Sequence, residues 1–318
     1  MKKLTQVPSW DDIQETHKAI KGMIHQTPVM ASHSINEITG AEIYFKCENF
    51  QKVGAFKMRG ASSAALRLTE EEKAKGIATH SSGNHAQAVA LSARTLGIPA
   101  YIVMPNTSPE IKKKGTAGYG AEITECENSL AAREEALNAV VARTGATFIH
   151  PYDDYNVIAG QATAAKELLA AIPDLDIIMS PVGGGGLMSG TALAARYISP
   201  GIKVYGAEPA IVDDAARSLA AGHLLTNDRI DTIADGLRTN LSEKTFAIIQ
   251  QHVDQIFTVS EEAIIAAMRL TWERMKIIIE PSCAVPLAVV MTYPDYFNGR
   301  KTGIILTGGN VDLDHLPF

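Results

Sequence analysis

Short apolar runs rich in Val, Ile, Tyr and Phe alternate along the chain with longer segments that have helical patterns. The short runs predict β-strands, and the longer segments predict helices. We expect strands at 41–48, 75–82, 99–105, 121–126, 146–151, 175–183 and 202–209 and in the first half of 302–312. We expect helices at 84–97, 109–120, 129–145, 157–172, 187–199, 243–252 and 261–275. This alternation predicts an α/β fold of mostly parallel sheets covered by helices on both faces.

The block 76–153 contains four of these strands alternating with helices, and it predicts a small α/β domain. The segments that flank this block need each other to complete a sheet. We therefore expect a small domain, 76–153, inserted into a larger domain formed by 1–66 and 155–318. Both domains are expected to be three-layered and built on parallel sheets. No repeat or low-complexity segment changes this prediction.

Composition and charge argue against several classes of protein. Of the 318 residues, 46% are hydrophobic and 20% are charged, as in ordinary globular proteins. The net charge of −6 argues against nucleic-acid binding. The 3 cysteines lie far apart without a CxxC pair, and neither a signal peptide nor a run of about 18 apolar residues occurs. We expect a cytoplasmic protein that binds neither nucleic acid nor membranes.

The stretch "GAFKMRGA" (54–61) gives Lys57 the apolar neighbours Ala55, Phe56 and Met58. A lysine beside a partly dry pocket has a lowered pKa, and its neutral amine is a nucleophile for carbonyl groups. The alternative is a structural lysine at the start of a helix, with its stem on apolar surface and its ammonium in water. The octapeptide alone leaves both interpretations open.

The stretch "SPVGGGGLMSG" (180–190) places four glycines between a predicted strand and a predicted helix. Their N–H groups can converge on an anion at the positive end of the helix dipole, which favours a phosphate. A Walker loop needs Gly-Lys-Ser/Thr where Leu187 and Met188 stand, and the spacing does not fit G-x-G-x-x-G. Glu208 ends the next strand and keeps a dinucleotide site open as an alternative, and a flexible loop is another. The glycines suit one isolated phosphate better than a pyrophosphate.

A nucleophilic lysine and a monophosphate cradle are the pair that pyridoxal 5′-phosphate requires. Five motifs occur in the order seen in one group of such enzymes: "GAFKMRGA", "SSGNHAQAVA" (81–90), "SPVGGGGLMSG", "AEP" (207–209) and "LTGGNVD" (306–312). The chain resembles the tryptophan-synthase-like, fold type II pyridoxal-phosphate enzymes, most closely their serine racemase and threonine/serine dehydratase branch. The resemblance covers nearly the whole chain, including "YFKCENFQKVG" (44–54) and "MKIIIEPSCAV" (275–285).

The resemblance implies the tryptophan synthase β-like fold and a set of cofactor-binding residues. Lys57 would bind the cofactor aldehyde as a Schiff base and then move protons at the substrate Cα. Asn84 would bind the ring oxygen, and Thr307, where related sequences often have Ser, would face the ring nitrogen. A hydroxyl does not force that nitrogen to protonate, which favours elimination and proton exchange over transamination. The implied cofactor-binding residues are Phe56, Lys57, Asn84, Gly183, Gly184, Gly185, Gly186, Leu187 and Thr307.

The resemblance also implies that the substrate carboxylate binds the "SSGNH" loop at a helix N-terminus. Ser82 would face Cα from the side opposite Lys57, although it could also be a plain helix cap, and His85 could be only structural. Arg133 matches a position near the substrate, where it would hold a second carboxylate such as that of 3-hydroxyaspartate. Its alternative is a surface salt bridge with its acidic neighbours. The implied substrate-binding residues are Ser81, Ser82, Gly83, Asn84, His85 and Arg133.

Glu208 and Asp214 flank a segment whose backbone carbonyls, notably that of Val212, can point inward. Ligands that are all oxygen suit Mg²⁺, Mn²⁺ or Ca²⁺. Two acids in a loop are usually only solvated, so the spacing alone does not decide for a metal. The resemblance to metal-binding racemases and dehydratases implies a divalent cation at Glu208, Val212 and Asp214.

The predicted function is a pyridoxal-phosphate-dependent ammonia-lyase that eliminates water from serine or threonine, giving a 2-oxo acid and ammonia. Reprotonation through Ser82 would instead give serine racemase activity. The alternative is a 3-hydroxyaspartate dehydratase on the same scaffold. A β-replacement synthase would usually carry a "TGNTG"-like loop where this chain has "SSGNHA", and a non-catalytic binding module would release no ammonia.

The resemblance further implies a homodimer. The chain ends at Phe318, soon after the "LTGGNVD" motif, so we expect no C-terminal regulatory domain. The preferred substrate, the ratio of racemisation to elimination, the identity of the metal and activation by a nucleotide stay open.

Overall fold

The computed structural model describes residues 1–81, 83–108 and 110–318, without the side chains of 111 and 112. The described part of the chain forms ten strands in two sheets. The strands are β1 (Val29–Ala31), β2 (Glu42–Cys47), β3 (Ile77–His80), β4 (Ala100–Pro105), β5 (Glu122–Cys126), β6 (Thr147–Phe148), β7 (Ile177–Pro181), β8 (Lys203–Pro209), β9 (Gln255–Val259) and β10 (Lys301–Leu306).

Helices connect most of these strands, as the alternating pattern predicted. They are α1 (Trp10–Ile20), α2 (His33–Thr39), α3 (Lys57–Leu66), α4 (Glu70–Lys75), α5 (Asn84–Leu96), α6 (Glu110–Gly118), α7 (Leu130–Thr144), α8 (Tyr155–Ala171), α9 (Gly186–Ile198), α10 (Asp214–Ala221), α11 (Glu243–His252), α12 (Glu261–Met275), α13 (Pro281–Thr292) and α14 (Pro294–Phe297). Within the described residues, none of them is both long enough and apolar enough to cross a membrane.

The larger sheet has six strands in the order β1-β2-β10-β7-β8-β9, and the smaller has four in the order β5-β4-β3-β6. Every neighbouring pair is parallel except β1 with β2. The carboxyl ends of parallel strands share one edge, which is where α/β proteins place their binding sites. The strands of the smaller sheet all lie between residues 77 and 148, and the proposed inserted domain at 76–153 rests on this separation.

Apolar clusters lie on both faces of each sheet. Ile304 of β10 packs in a cluster with α12 and α13, whereas the next residue, Ile305, packs with α8 and α9. In the smaller sheet Ile77 faces α3 and α5, and Ala78 faces α7. Successive strand residues point to opposite faces, so each sheet is buried on both sides. The predicted α/β fold with parallel-sheet layers is confirmed.

Several elements were not predicted, among them β9 and α13, and the strand expected at 146–151 ends at Phe148. Helix α13 is apolar around its whole circumference because it is buried from Ser282 to Val290, so it lacks the one-sided pattern that marks a surface helix. Its internal Pro286 further obscures the helical signal.

A buried ionic network joins α3, α8 and the segment after β2. The Arg59 guanidinium donates to both carboxylate oxygens of Glu48 (2.8 Å each) and to both of Glu167 (2.8 and 2.9 Å). Lys46 lies 2.6 Å from Glu167, and the Arg59 side chain is fully buried. Each charge in this network is therefore compensated by a neighbour, as burial requires.

Replacing Arg59 by methionine should strongly destabilise the fold. The change leaves the two carboxylates buried without their shared partner, and removing one member of a buried ion pair costs about 3–5 kcal/mol. Urea titration of R59M should show this loss in the free energy of unfolding. R143M is the matched control, because the pair of Arg143 with Glu122 is about half exposed and should contribute about 0–1 kcal/mol. Equal losses in the two variants would contradict the assigned role of the network.

Candidate active site

Lys57 begins helix α3, beside the end of strand β10. The N–H of Phe56 donates to the carbonyl of Thr307 (2.9 Å), which ties the two segments together. The Lys57 Nζ donates to the carbonyl of Pro151 (3.0 Å) and lies 5.1 Å from the centre of the Phe56 ring. Burial lowers the pKa of Lys57 to about 8. The predicted lowering of this pKa is confirmed, and the amine is therefore a better nucleophile at neutral pH than an exposed lysine.

The four glycines turn the chain from β7 into α9. Gly185 has a φ of +83°, a backbone conformation that residues with a side chain rarely adopt. A Cβ at Gly184 would lie 2.3 Å from the ring of Tyr152, and one at Gly186 would lie 2.9 Å from the Tyr152 Cβ. The backbone is therefore too closely packed for any side chain here. The first N–H groups of α9 have no acceptor within the helix, so they can bind an anion.

Thr307 follows β10 and is 3% exposed. Its hydroxyl is buried and has no nitrogen or oxygen partner among the described residues. The Cys283 thiol is a hydrogen-bonding neighbour of this hydroxyl, and a hydroxyl can make a further hydrogen bond to a bound group. The role that the resemblance implies for Thr307 stays a prediction.

A chain of polar side chains connects the start of α5 with the "LTGGNVD" segment. The Asn84 Nδ2 donates to both carboxylate oxygens of Glu280 (3.0 and 3.2 Å). The Asn310 Nδ2 donates to the Asn84 Oδ1 (2.8 Å) and to the carbonyl of Val53 (2.8 Å). Glu280 and Asn310 were not predicted as site residues. The one available signal for Glu280 was an acidic residue within the apolar run "KIIIEPSCAV".

The "SSGNH" loop follows β3 and opens α5. The Ser81 N–H donates to the carbonyl of Val103 (3.1 Å), and the Gly83 N–H contacts the Ser81 Oγ (3.3 Å). Gly83, the N-cap of α5, has no side chain to cap the helix, and the N–H groups of a helix N-terminus favour an anion such as a carboxylate. The His85 Nε2 lies 3.1 Å from the carbonyl of Ile149, and burial lowers the pKa of His85 well below its usual value. Ser82 lies outside the described residues.

Arg133 lies on α7, at the side of the smaller sheet that leads to this loop. Its Nη2 donates to the Asn128 Oδ1 (2.6 Å), and its Nε is buried without a partner among the described residues. Burial and then the positive charge of Arg133 lower the pKa of His80, the last residue of β3. No ion pair with Glu134 or Glu135 occurs within the described part of the chain. The charge of Arg133 therefore acts on the strand end that leads into the loop, and its Nε has unused donor capacity.

A row of aromatic rings runs from this arginine to the glycines. Ring centres are 5.7 Å apart for His80 and Phe148, 5.4 Å for Phe148 and His150, and 4.7 Å for His150 and Tyr152. Tyr152 was not predicted as a site residue. The signal that could have found it is its position just after the carboxyl end of β6.

Glu208 and Asp214 are both buried, at the end of β8 and the start of α10. The Glu208 carboxylate accepts from the N–H groups of Ala215 (3.2 Å) and Ala216 (2.8 Å). Burial and then the charge of Asp214 raise the pKa of Glu208 well above its usual value, and burial raises the pKa of Asp214 to about 6. The described residues contain no group of three or more His, Cys, Asp or Glu side chains arranged for a metal. Any cation here would need backbone carbonyls as well, such as that of Val212.

These residues fit pyridoxal phosphate. A buried amine of lowered pKa, a side-chain-free anion cradle and a buried hydroxyl without a nitrogen or oxygen partner match its aldehyde, phosphate and ring. The divalent cation at Glu208 and Asp214 stays a prediction, since these two acids form no larger cluster of metal-ligating side chains within the described residues.

Comparison with known proteins agrees with this geometry. Residues 20–308 match the family model described as "Pyridoxal-phosphate dependent enzyme". The beta-hydroxyaspartate dehydratase of Paracoccus denitrificans is 47% identical, covering 98% of this chain and 99% of that protein, and the serine racemase of Dictyostelium discoideum is 47% identical, covering 96% and 95%. The crystal structure of a threonine deaminase from T.th. has a TM-score of 0.92 at 42% identity and covers 96% of this chain and 99% of that one. The chain belongs to the family of pyridoxal-phosphate dependent enzymes.

Proposed function

We propose that this enzyme eliminates water from small β-hydroxy amino acids, serine and threonine, to give a 2-oxo acid and ammonia. Racemisation of serine would be a second outcome of the same proton removal. The observation that carries the proposal is a buried lysine with a pKa of about 8 in a chain closely similar to serine racemases and hydroxyaspartate dehydratases. The resemblance of its loop motif "SSGNH" to dehydratases favours serine and threonine.

Lys57, the glycines 183–186, Leu187, Asn84 and Thr307 would hold pyridoxal phosphate, with Phe56 packed beside it. When bound, this cofactor withdraws electrons from the substrate Cα and so acidifies its proton. The neutral amine of Lys57 would remove that proton, and its lowered pKa places the neutral form within reach near pH 8. The hydroxyl of Thr307 would complete its hydrogen bond at the ring nitrogen.

The N-terminus of α5 would bind the substrate carboxylate. Helix α5 is 13 residues long and its N-cap residue, Gly83, has no side chain, so the first N–H groups and the helix dipole favour an anion there. Ser81, Gly83 and Asn84 would line this position, and His85 would support the loop from behind. We assign the proton donor on the face opposite Lys57 to Ser82, as the resemblance implies.

Glu208, Asp214 and the carbonyl of Val212 would bind Mg²⁺, Mn²⁺ or Ca²⁺. Asp214 accepts from the N–H of Leu241 (2.9 Å), and a Cβ at Gly185 would lie 2.7 Å from the Leu241 side chain. A cation that neutralises the two acids would therefore stabilise the segment that packs against the glycines. The homodimer, the cytoplasmic location and the inserted domain at 76–153 stay predictions.

One observation favours 3-hydroxyaspartate as a second candidate substrate. Arg133 lies near the start of the substrate loop with its Nε unpartnered among the described residues. A guanidinium can bind a carboxylate through two parallel hydrogen bonds, which serine and threonine do not offer at Cβ. The dehydratase of Paracoccus denitrificans, named for this kind of substrate, supports the same candidate.

Product analysis with serine, threonine and 3-hydroxyaspartate tests the proposed function. The cofactor-loaded enzyme should release ammonia and a 2-oxo acid, and K57A should lose at least about 10³-fold in kcat. K18A is the control, because Lys18 is exposed. A chelator should lower turnover, a divalent cation should restore it, and E208Q should no longer respond to either. Full turnover by K57A, or a borohydride-fixed cofactor on another lysine, would contradict the proposal.

Substituting Gly184 by alanine should weaken cofactor binding without unfolding the protein. The new Cβ would meet the Tyr152 ring at 2.3 Å and force the cradle open. We expect at least about a tenfold rise in the cofactor Kd, measured by absorbance titration, with unchanged circular dichroism. G201A is the matched control, since nothing lies within 4 Å of a Cβ at Gly201. A Kd equal in both variants would show that the cradle tolerates a side chain.

Replacing Arg133 by glutamine should discriminate between the candidate substrates. The loss of a charged hydrogen bond costs about 1.5–3 kcal/mol, so kcat/KM for 3-hydroxyaspartate should fall by about 10–150-fold. The values for serine and threonine should change little. R143Q, on the same helix but exposed, is the control. An equal fall in kcat/KM for all three substrates would show that Arg133 supports the structure of the loop and does not bind a second substrate carboxylate.

A further inference from the structure

Glu280 is a buried acid in the candidate site that no step above uses. It precedes α13, is 4% exposed, and donates its N–H to the carbonyl of Gly308 (3.0 Å). A Cβ at Gly308 would lie 2.7 Å from the Glu280 Oε1, so the carboxylate packs directly on the backbone next to Thr307. Burying an acid is costly, and its position in the site suggests a function for it.

The contacts of Asn84 fix the orientation of its amide. The Oδ1 accepts from Asn310, so the Nδ2 must face Glu280. Because the two oxygens of one carboxyl group subtend a narrow angle at Nδ2, they share one of its two hydrogens. The other hydrogen stays available as a donor. Without Glu280 and Asn310, the amide could rotate and present its oxygen instead.

Glu280 also provides the opposing charge for Lys57. Burial lowers the pKa of Lys57, and the negative charge of Glu280 acts against that lowering. Among the described residues, the titratable side chains that also interact with this lysine include His85 and His150. Burial lowers the pKa of both, to about 4 for His150, so both are neutral at pH 7 to 9. Within the described part of the chain, Glu280 is the charged group that acts on Lys57 in this range.

We propose that Glu280 is a positioning residue for the cofactor. Its carboxylate holds the Asn84 amide as a donor toward the cofactor's ring oxygen, and its negative charge acts on Lys57. This inference rests on the family's cofactor and adds a role for one acid of this chain.

Two variants separate charge from distance. E280Q keeps the length of the side chain and removes the charge. E280D keeps the charge and withdraws the carboxylate from Asn84 by one methylene. E273Q is the control, because Glu273 is an exposed acid on α12 that pairs with Arg269.

The experiment measures cofactor capture by the cofactor-free protein, by absorbance, as a function of pH and of cofactor concentration. The pH at which the capture rate reaches half its maximum should be lower by about one unit or more in E280Q. In E280D and E273Q this pH midpoint should stay near the wild-type value. The cofactor Kd should rise about tenfold in E280D, where Asn84 is released, and stay unchanged in E273Q.

An unchanged midpoint in E280Q together with an unchanged Kd in E280D would overturn the inference. Circular dichroism shows whether each variant folds, and if E280Q does not, the Kd of E280D decides alone. If the wild-type protein captures no cofactor at any pH, the proposed function fails, whereas normal capture by wild type and by both variants contradicts only the role of Glu280.

Discussion

The parallel pairing of strand β10 with β2 on one side and β7 on the other is the constraint on which the candidate site depends. Leu306 is in register with Cys47, so the segments that leave these two strands start side by side. One leads to Thr307 and the other to Lys57, and the segments meet again where Phe56 donates to Thr307. Strand β7 ends on the other side and leads into the glycines. Sheet register therefore brings together an amine, a hydroxyl and an anion cradle from distant parts of the chain.

Buried charges fall into two kinds in this molecule. Burial alone would lower the pKa of Arg59, but Glu48 and Glu167 raise it above its usual value, so that group stays charged. Burial lowers the pKa of Lys57 and raises that of Glu208, so both are pushed toward neutrality. Charges with complete sets of partners stay ionised inside the fold, whereas incompletely compensated charges have free energy to gain from a ligand.

The local parts of the site could be predicted from the sequence, and the long-range parts could not. Lys57 and the glycines have distinctive neighbours in the chain, so the confirmed family and the lowered lysine pKa follow from short motifs. Glu280 acts on Asn84 across 196 positions of sequence, and Tyr152 packs on Gly184 from the end of another sheet. A single sequence has no local pattern that encodes such pairs, which depend on sheet order.

The proposed chemistry and the proposed substrate selection belong to different sheets. The segments that leave the larger sheet carry the Lys57 amine, the glycines and the Thr307 hydroxyl. The smaller sheet and its helices carry the proposed carboxylate loop, His80 at the end of β3, and Arg133 on α7. The two sides are joined by the bond of Lys57 to Pro151 and that of Asn84 to Glu280. A substitution on the smaller side can thus change which β-substituent is accepted without altering the amine or the cradle. Under the proposed function, this separation would let relatives of equal identity, a beta-hydroxyaspartate dehydratase and a serine racemase, differ on the smaller side alone.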